Sequence, residues 1–107
     1  VILGYHGIVP DQWNATPSWL MLRASDFTSQ MRFLKDHYEI VPIAEAARRI
    51  VQHEPFDGPT ACVTLDDGYL NNMTVAAPIL ERMAIPATIY LATGMIGTDQ
   101  IHWTARL

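Results

Sequence analysis

Short apolar runs alternate with helical apolar stripes along this chain, and that alternation restricts the possible folds more than any other feature of it. Residues 1–5, 39–42, 61–65 and 87–92 are the strand-like runs. Between the first two, Phe27, Met31, Leu34 and Tyr38 recur at helical spacing, and Ser25 with Asp26 reads as the start of that helix. Ile43, Ala46, Ala47, Ile50 and Val51 mark a second helix, with Arg48 and Arg49 off the stripe on what reads as a solvated face. Val75, Ile79, Leu80 and Met83 mark a third, capped by Asn71 or Asn72, beginning near residue 73 and kinked at Pro78. Strand and helix in regular alternation predict an α/β fold whose parallel strands are joined by right-handed crossovers. Residues 7–24, with Pro10, Asp11, Asn14 and Pro17, read as a loop, in which Trp13 and Trp19 pack or line a cleft.

A chain of 107 residues has room for one small domain with a modest core. Its residues are 50% hydrophobic and only 17% charged, which excludes a disordered chain. No apolar run is long enough to span a membrane. A net charge of −4 and the lack of any Lys/Arg cluster argue against a nucleic-acid partner. The single cysteine, Cys62, lies inside the third strand run, where it reads as a small buried hydrophobe and excludes both an internal disulfide and a cysteine metal cluster. The chain starts on a strand without methionine and stops without a closing element, so both ends look cut, and a preceding signal peptide is compatible with that start.

The third strand run ends in Asp66-Asp67-Gly68-Tyr69. Neighbours on a strand face opposite ways, but a glycine turn directly after it lets both carboxylates swing over the strand's C-terminal end. Ligands of α/β proteins collect at that end. Two adjacent carboxylates repel one another, and a cation beside them or a proton on one of them relieves the strain. The alternative is a surface turn in which Asp66 caps the next helix. The buried lead-in favours a site, since a turn alone does not require it. Asp57-Gly58 lacks such a lead-in and reads as a turn only. By the same strand order His6 and Thr93-Gly94 also end strands, so they share one rim with the acidic pair.

These residues suit hydrolysis of an amide or ester. A metal-bound water supplies the nucleophile, and the metal polarises the carbonyl. One aspartate binds the ion, the other takes a proton from water, and His6 protonates the leaving group. A catalytic zinc site takes about three protein ligands plus water. Beyond His6 and the acidic pair the rim offers only His102, whose Ile-His-Trp setting also fits simple packing. His37 and His53 belong at helix ends away from the rim.

Thr64-Leu65-Asp66-Asp67-Gly68-Tyr69 resembles the Thr-Phe-Asp-Asp-Gly-(Pro/Tyr) signature of the polysaccharide deacetylases, the family 4 carbohydrate esterases. Pro78-Ile79-Leu80 and Ile85-Pro86-Ala87-Thr88-Ile89-Tyr90 resemble the family's next helix and strand, and Tyr5-His6-Gly7 resembles the opening of its poly-N-acetylglucosamine deacetylase branch. The resemblance covers nearly the whole chain. It implies a metal-dependent N- or O-deacetylase of polysaccharide, with zinc the expected cation, on a distorted (β/α)₇ barrel. Asp66 would be the catalytic base, Asp67 a metal ligand, His6 the general acid and Tyr69 a sugar contact. A cell-envelope or secreted setting goes with that substrate. The family's remaining metal ligands come from a His-x-x-x-His segment after the fourth strand, and no such spacing occurs between Ala92 and Leu107. A complete barrel needs roughly 200 residues or more. The chain is therefore expected to be the N-terminal half of the barrel rather than a degenerate relative, residues 1–107 being a partial domain, inactive and a weak zinc binder alone, with an exposed sheet edge.

Two other functions compete. A non-catalytic carbohydrate-binding module would use Trp13, Trp19 and Trp103 as stacking faces. A phosphoryl-accepting doubly wound domain needs an acceptor Asp and a Lys at strand ends, and Lys35, the only lysine, sits within the first helix.

Overall fold

The computed structural model describes residues 1–14 and 19–100. His102 and Trp103 lie outside the described residues.

Strand β5 (Thr60–Leu65) is the centre of a four-stranded sheet in which every pairing is parallel. Its residues 61 to 65 are all buried, as the continuous apolar run requires of a central strand. Strand β1 (Ile2–Tyr5) lies on one side, with Ile2 opposite Cys62 and Tyr5 opposite Leu65. On the other side β4 (Glu39–Ile40) pairs with residues 60–61 and β6 (Ala87–Ile89) with residues 63–65. The hydrogen bonds explain this sharing. The amides of Cys62 and Asp66 donate toward β1, while the carbonyls of Pro59, Ala61 and Leu65 accept from Glu39, Val41 and Tyr90. β4 and β6 therefore occupy one edge of β5, β4 at its start and β6 at its end. Each is shorter than the apolar run predicts, because neither has the whole edge available. β1 is an edge strand, with Val1 and Ile2 70% and 65% exposed, as expected for an open sheet.

Residues 7–24 are not a plain loop, contrary to the sequence reading. Gly7–Val9 forms β2 and Met21–Arg23 forms β3, paired in parallel as a separate ribbon. The Gly7 amide donates to the Leu20 carbonyl at 3.0 Å, and Ile8 is fully buried in the main core. The apolar pair Ile8-Val9 drives the ribbon inward, and the prolines around it obscured that signal.

Helix α1 (Ala24–His37) buries Phe27, Met31 and Leu34 as its spacing demands. It starts one residue before Ser25, and its cap comes from a distance: Asp11 Oδ1 accepts from the Ser25 amide at 3.0 Å. That bond holds the Asp11 carboxyl below its ordinary pKa. Helix α2 (Ile43–Val51) departs from its pattern, since only Ala46 of the stripe is buried while Ile50 and Val51 are 64% and 77% exposed. It meets the sheet through a small cluster with Val41 and Cys62, whereas Ala61, Val63 and Leu65 face the larger core of α1 and the third helix. Successive residues of β5 thus point to opposite faces. Cys62 is buried as expected, and burial raises its thiol pKa.

The third helix opens with a π-helical turn (Asn72–Ala76), closed by the Ala77 amide on the Asn72 carbonyl, and continues as α3 (Ala77–Met83). Neither asparagine caps it through its side chain. The expected kink at Pro78 gives way to this arrangement, because the wide turn puts Pro78 in the first turn of the α segment, where an amide proton is not needed.

Arg48 and Arg49 are also more engaged than a merely solvated face. Arg48 pairs with Glu45 at 2.9 Å and with Glu54 at 2.7 Å, and Arg49 pairs with Glu45 at 2.7 Å and Glu39 at 3.3 Å. Hydrogen bonds from Arg48, then Arg49, lower the Glu45 pKa from 4.5 to about 2. A carboxylate depressed in the folded state adds stability above its unfolded pKa, and that contribution is lost as pH falls through the folded value. Glu45→Gln is therefore expected to lower the urea midpoint modestly at neutral pH and to flatten its fall between pH 4.5 and about 2, both effects shrinking in high salt.

Candidate active site

Two turns face each other across the C-terminal ends of β1 and β5. Tyr5 and Leu65 are register partners, so the next residues, His6 and Asp66, leave the sheet side by side. Adjacent strands are about 4.8 Å apart. The Asp66 amide donates to the Tyr5 carbonyl at 2.8 Å, which extends the ladder one residue into the turn. A side-chain carbon at Gly4 would stand 3.8 Å from Asp66 Oδ2 and 3.8 Å from Thr64 Oγ1, so the Asp66 carboxylate lies over the Gly4 position, on the sheet face it shares with Thr64.

The chain then turns sharply. Asp67 and Gly68 have φ of 68° and 69°, left-handed values that cost a non-glycine residue energy and are most tolerable for Asp or Asn. The left-handed φ favours glycine at residue 68, where a side-chain carbon would also displace the exposed Leu91 side chain, whose Cδ2 would lie 2.6 Å away. Asp67 and Tyr69 are each partly buried. The Tyr69 carbonyl accepts from the Asn72 amide at 2.9 Å and hands the turn to the third helix.

On the β1 side the His6 ring meets Trp19 edge-on, 6.4 Å between centroids at 61°. Trp19 is 84% exposed. The two rings border a recess of about 260 Å³ also lined by Gly4, Tyr5, Met21 and Gln30. Tyr5 Oη donates to Gln30 Oε1 at 2.8 Å on this wall, and burial raises the Tyr5 pKa. The other strand-end feature, Thr93-Gly94, belongs to a short 3₁₀ turn (Thr93–Met95) after β6. His37 stacks on Phe33 at the end of α1, 4.3 Å between centroids, and His53 follows α2.

Among the described residues, no three His, Cys, Asp or Glu side chains are grouped closely enough to hold a metal ion. Asp66, Asp67 and His6 therefore do not by themselves make up the donor set of a catalytic metal centre. Reading the residues in order also missed two side chains that join these turns. Asn71 Oδ1 accepts from the Ile8 amide at 3.3 Å, and Asn72 Nδ2 donates to the Asp66 carbonyl at 3.5 Å. The signal available was two successive asparagines at a helix start, where a cap needs only one of them.

No protein-family model matches the sequence. "Putative polysaccharide deacetylase YxkH" of Bacillus subtilis (strain 168) is 29% identical over 97 residues, which is 90% of this chain and 33% of that protein. The structure of IcaB from Ammonifex degensii superposes with a TM-score of 0.79 at 26% identity, covering 94% of this chain and 41% of that one. The Streptococcus pyogenes deacetylase PplD, solved in complex with acetate, gives 0.75 at 27% identity, with 94% and 46% covered. The chain thus spans about a third of the curated relative and less than half of these solved structures. In sequence and in its α/β fold of parallel strands, nearly from end to end, this chain resembles the polysaccharide deacetylases.

Proposed function

We propose that this chain carries the base-bearing part of a metal-dependent hydrolase that removes acetyl groups from an N- or O-acetylated polysaccharide at the cell surface or outside the cell. The observation that carries the reading is the Asp66-Asp67-Gly68 turn: a carboxylate set over Gly4, beside a left-handed aspartate, at the end of the central strand and next to His6. Similarity to a protein named as a polysaccharide deacetylase and to a deacetylase solved with acetate supports the substrate class.

In this reading the Asp66 carboxylate takes a proton from the attacking water, whose oxygen bonds to the acetyl carbon. As the carbon–nitrogen or carbon–oxygen bond breaks, the His6 imidazole delivers a proton to the leaving amine or alcohol. Trp19, exposed beside His6, offers an aromatic face to a sugar ring, and Tyr69 is by the resemblance a further sugar contact. Asp67 donates one ligand to a divalent cation, zinc by the resemblance, and the other donors come from outside the described residues on the remainder of a (β/α)₇ barrel. When bound, that cation polarises the acetyl carbonyl and acidifies water.

The test uses the longest natural chain that contains this sequence, with an acetylated glucosamine oligomer, and measures acetate release and zinc content. The unsubstituted chain is expected to release acetate, and Asp67→Ala to lose both stoichiometric zinc and turnover. Equal acetate release by Asp67→Ala would overturn the metal role. Oligomer binding without any acetate release by the unsubstituted chain would leave only a binding module.

A further inference from the structure

Asn72 is 1% exposed, and its Oδ1 has no hydrogen-bond partner among the described residues. An unsatisfied buried amide oxygen is costly, and an apolar residue of similar volume would avoid that cost. The side chain also occupies the first position of a π-helical turn, a distortion that often marks functional sites. Its Nδ2 donates to the carbonyl of Asp66, the residue whose carboxylate lies over Gly4. Its neighbour Asn71 reaches the opposite turn. Asn71 Oδ1 accepts from the Ile8 amide, and Asn71 Nδ2 lies 3.8 Å from the Met21 sulfur. Between these contacts Gly7 is packed so closely that a side-chain carbon would stand 2.1 Å from Met21 Sδ and 3.1 Å from Asn71 Nδ2.

We infer that Asn71 and Asn72 together form a clasp that sets the spacing between His6 and Asp66, Asn71 holding strand β2 directly after His6 and Asn72 the turn that starts at Asp66. They are positioning residues, because they act through the main chain at Ile8 and Asp66. A pair of successive side chains at the mouth of one helix is suited to this, since they leave the helix in different directions and reach different strands' ends. The inference rests on the deacetylase reading for its kinetic consequence, but not for its structural one.

Two measurements separate the two. On the 107-residue chain at fixed pH, Asn72→Leu is expected to shift the backbone amide resonances of Asp66 and Asp67, and Asn71→Leu those of His6 and Ile8, with thermal midpoints at or near that of the parent. In the longest natural chain, each substitution should lower kcat for acetate release about tenfold with KM nearly unchanged. Asn71→Asp, which keeps an oxygen for the Ile8 amide, should restore most of the loss. If Asn72→Leu fails to fold, Asn72→Ser, too short to span to the Asp66 carbonyl, serves in its place with the same expected outcome. Unshifted resonances at both turns in folded variants overturn the clasp, as does an unchanged kcat where the unsubstituted chain is active. If the unsubstituted chain releases no acetate while the resonances shift as described, the clasp stands and the deacetylase reading fails.

Discussion

Asp66→Asn is expected to lower kcat for acetate release by roughly 10²–10⁴-fold, the range in which a positioned acid or base acts, with little effect on folding. The substitution keeps the shape of the side chain over Gly4 and leaves untouched the main-chain amide that donates to Tyr5. It removes only the capacity to hold a proton taken from water. A thermal midpoint near that of the parent, together with the lost turnover, would separate this effect from misfolding. Turnover within a few-fold of the parent would show that another group takes the proton, and the proposed division of labour between the two aspartates would fail.

Phe27→Ala has the largest expected effect on stability, a loss of about 3–5 kcal/mol. Phe27 is fully buried, lies in the main core with Ile8, Met31 and Leu65, and meets the Tyr5 ring edge-on at 5.1 Å and 86°. It therefore ties α1 both to the β2 ribbon and to β1, and no neighbour can fill the space without moving one of them. Urea unfolding should show a much lower midpoint. A loss below about 1 kcal/mol would mean that the core collapses around the gap, which dense packing of this kind opposes.

Some of this was legible from residue order. The stripe Phe27, Met31 and Leu34 is buried as its period requires, and so is the run ending at Leu65. Both patterns depend on spacing along one element. The burial of Ile8-Val9 was not legible, since two apolar residues between a glycine and a proline do not show which surface they will meet. The exposure of Ile50 and Val51 misled for the opposite reason: a stripe shows which way a helix can face, but not how much of the sheet is there to receive it. The site divided in the same way. The acidic pair could be placed at a strand end from the apolar run and the following glycine, while the roles of Asn71 and Asn72 depended on partners at Ile8 and Asp66.

Residue order alone was enough for the parallel α/β alternation, for the burial of residues 61–65 and for placing Asp66, Asp67 and His6 at strand ends on one rim, because these follow from periodicity and from a turn directly after a strand. Tertiary structure alone decided that β4 and β6 share one edge of β5, that residues 7–9 and 21–23 pair as a ribbon, and that Asn71 and Asn72 bridge two turns. Those outcomes rest on hydrogen bonds between residues distant in the chain, and such a bond leaves no local pattern in either partner.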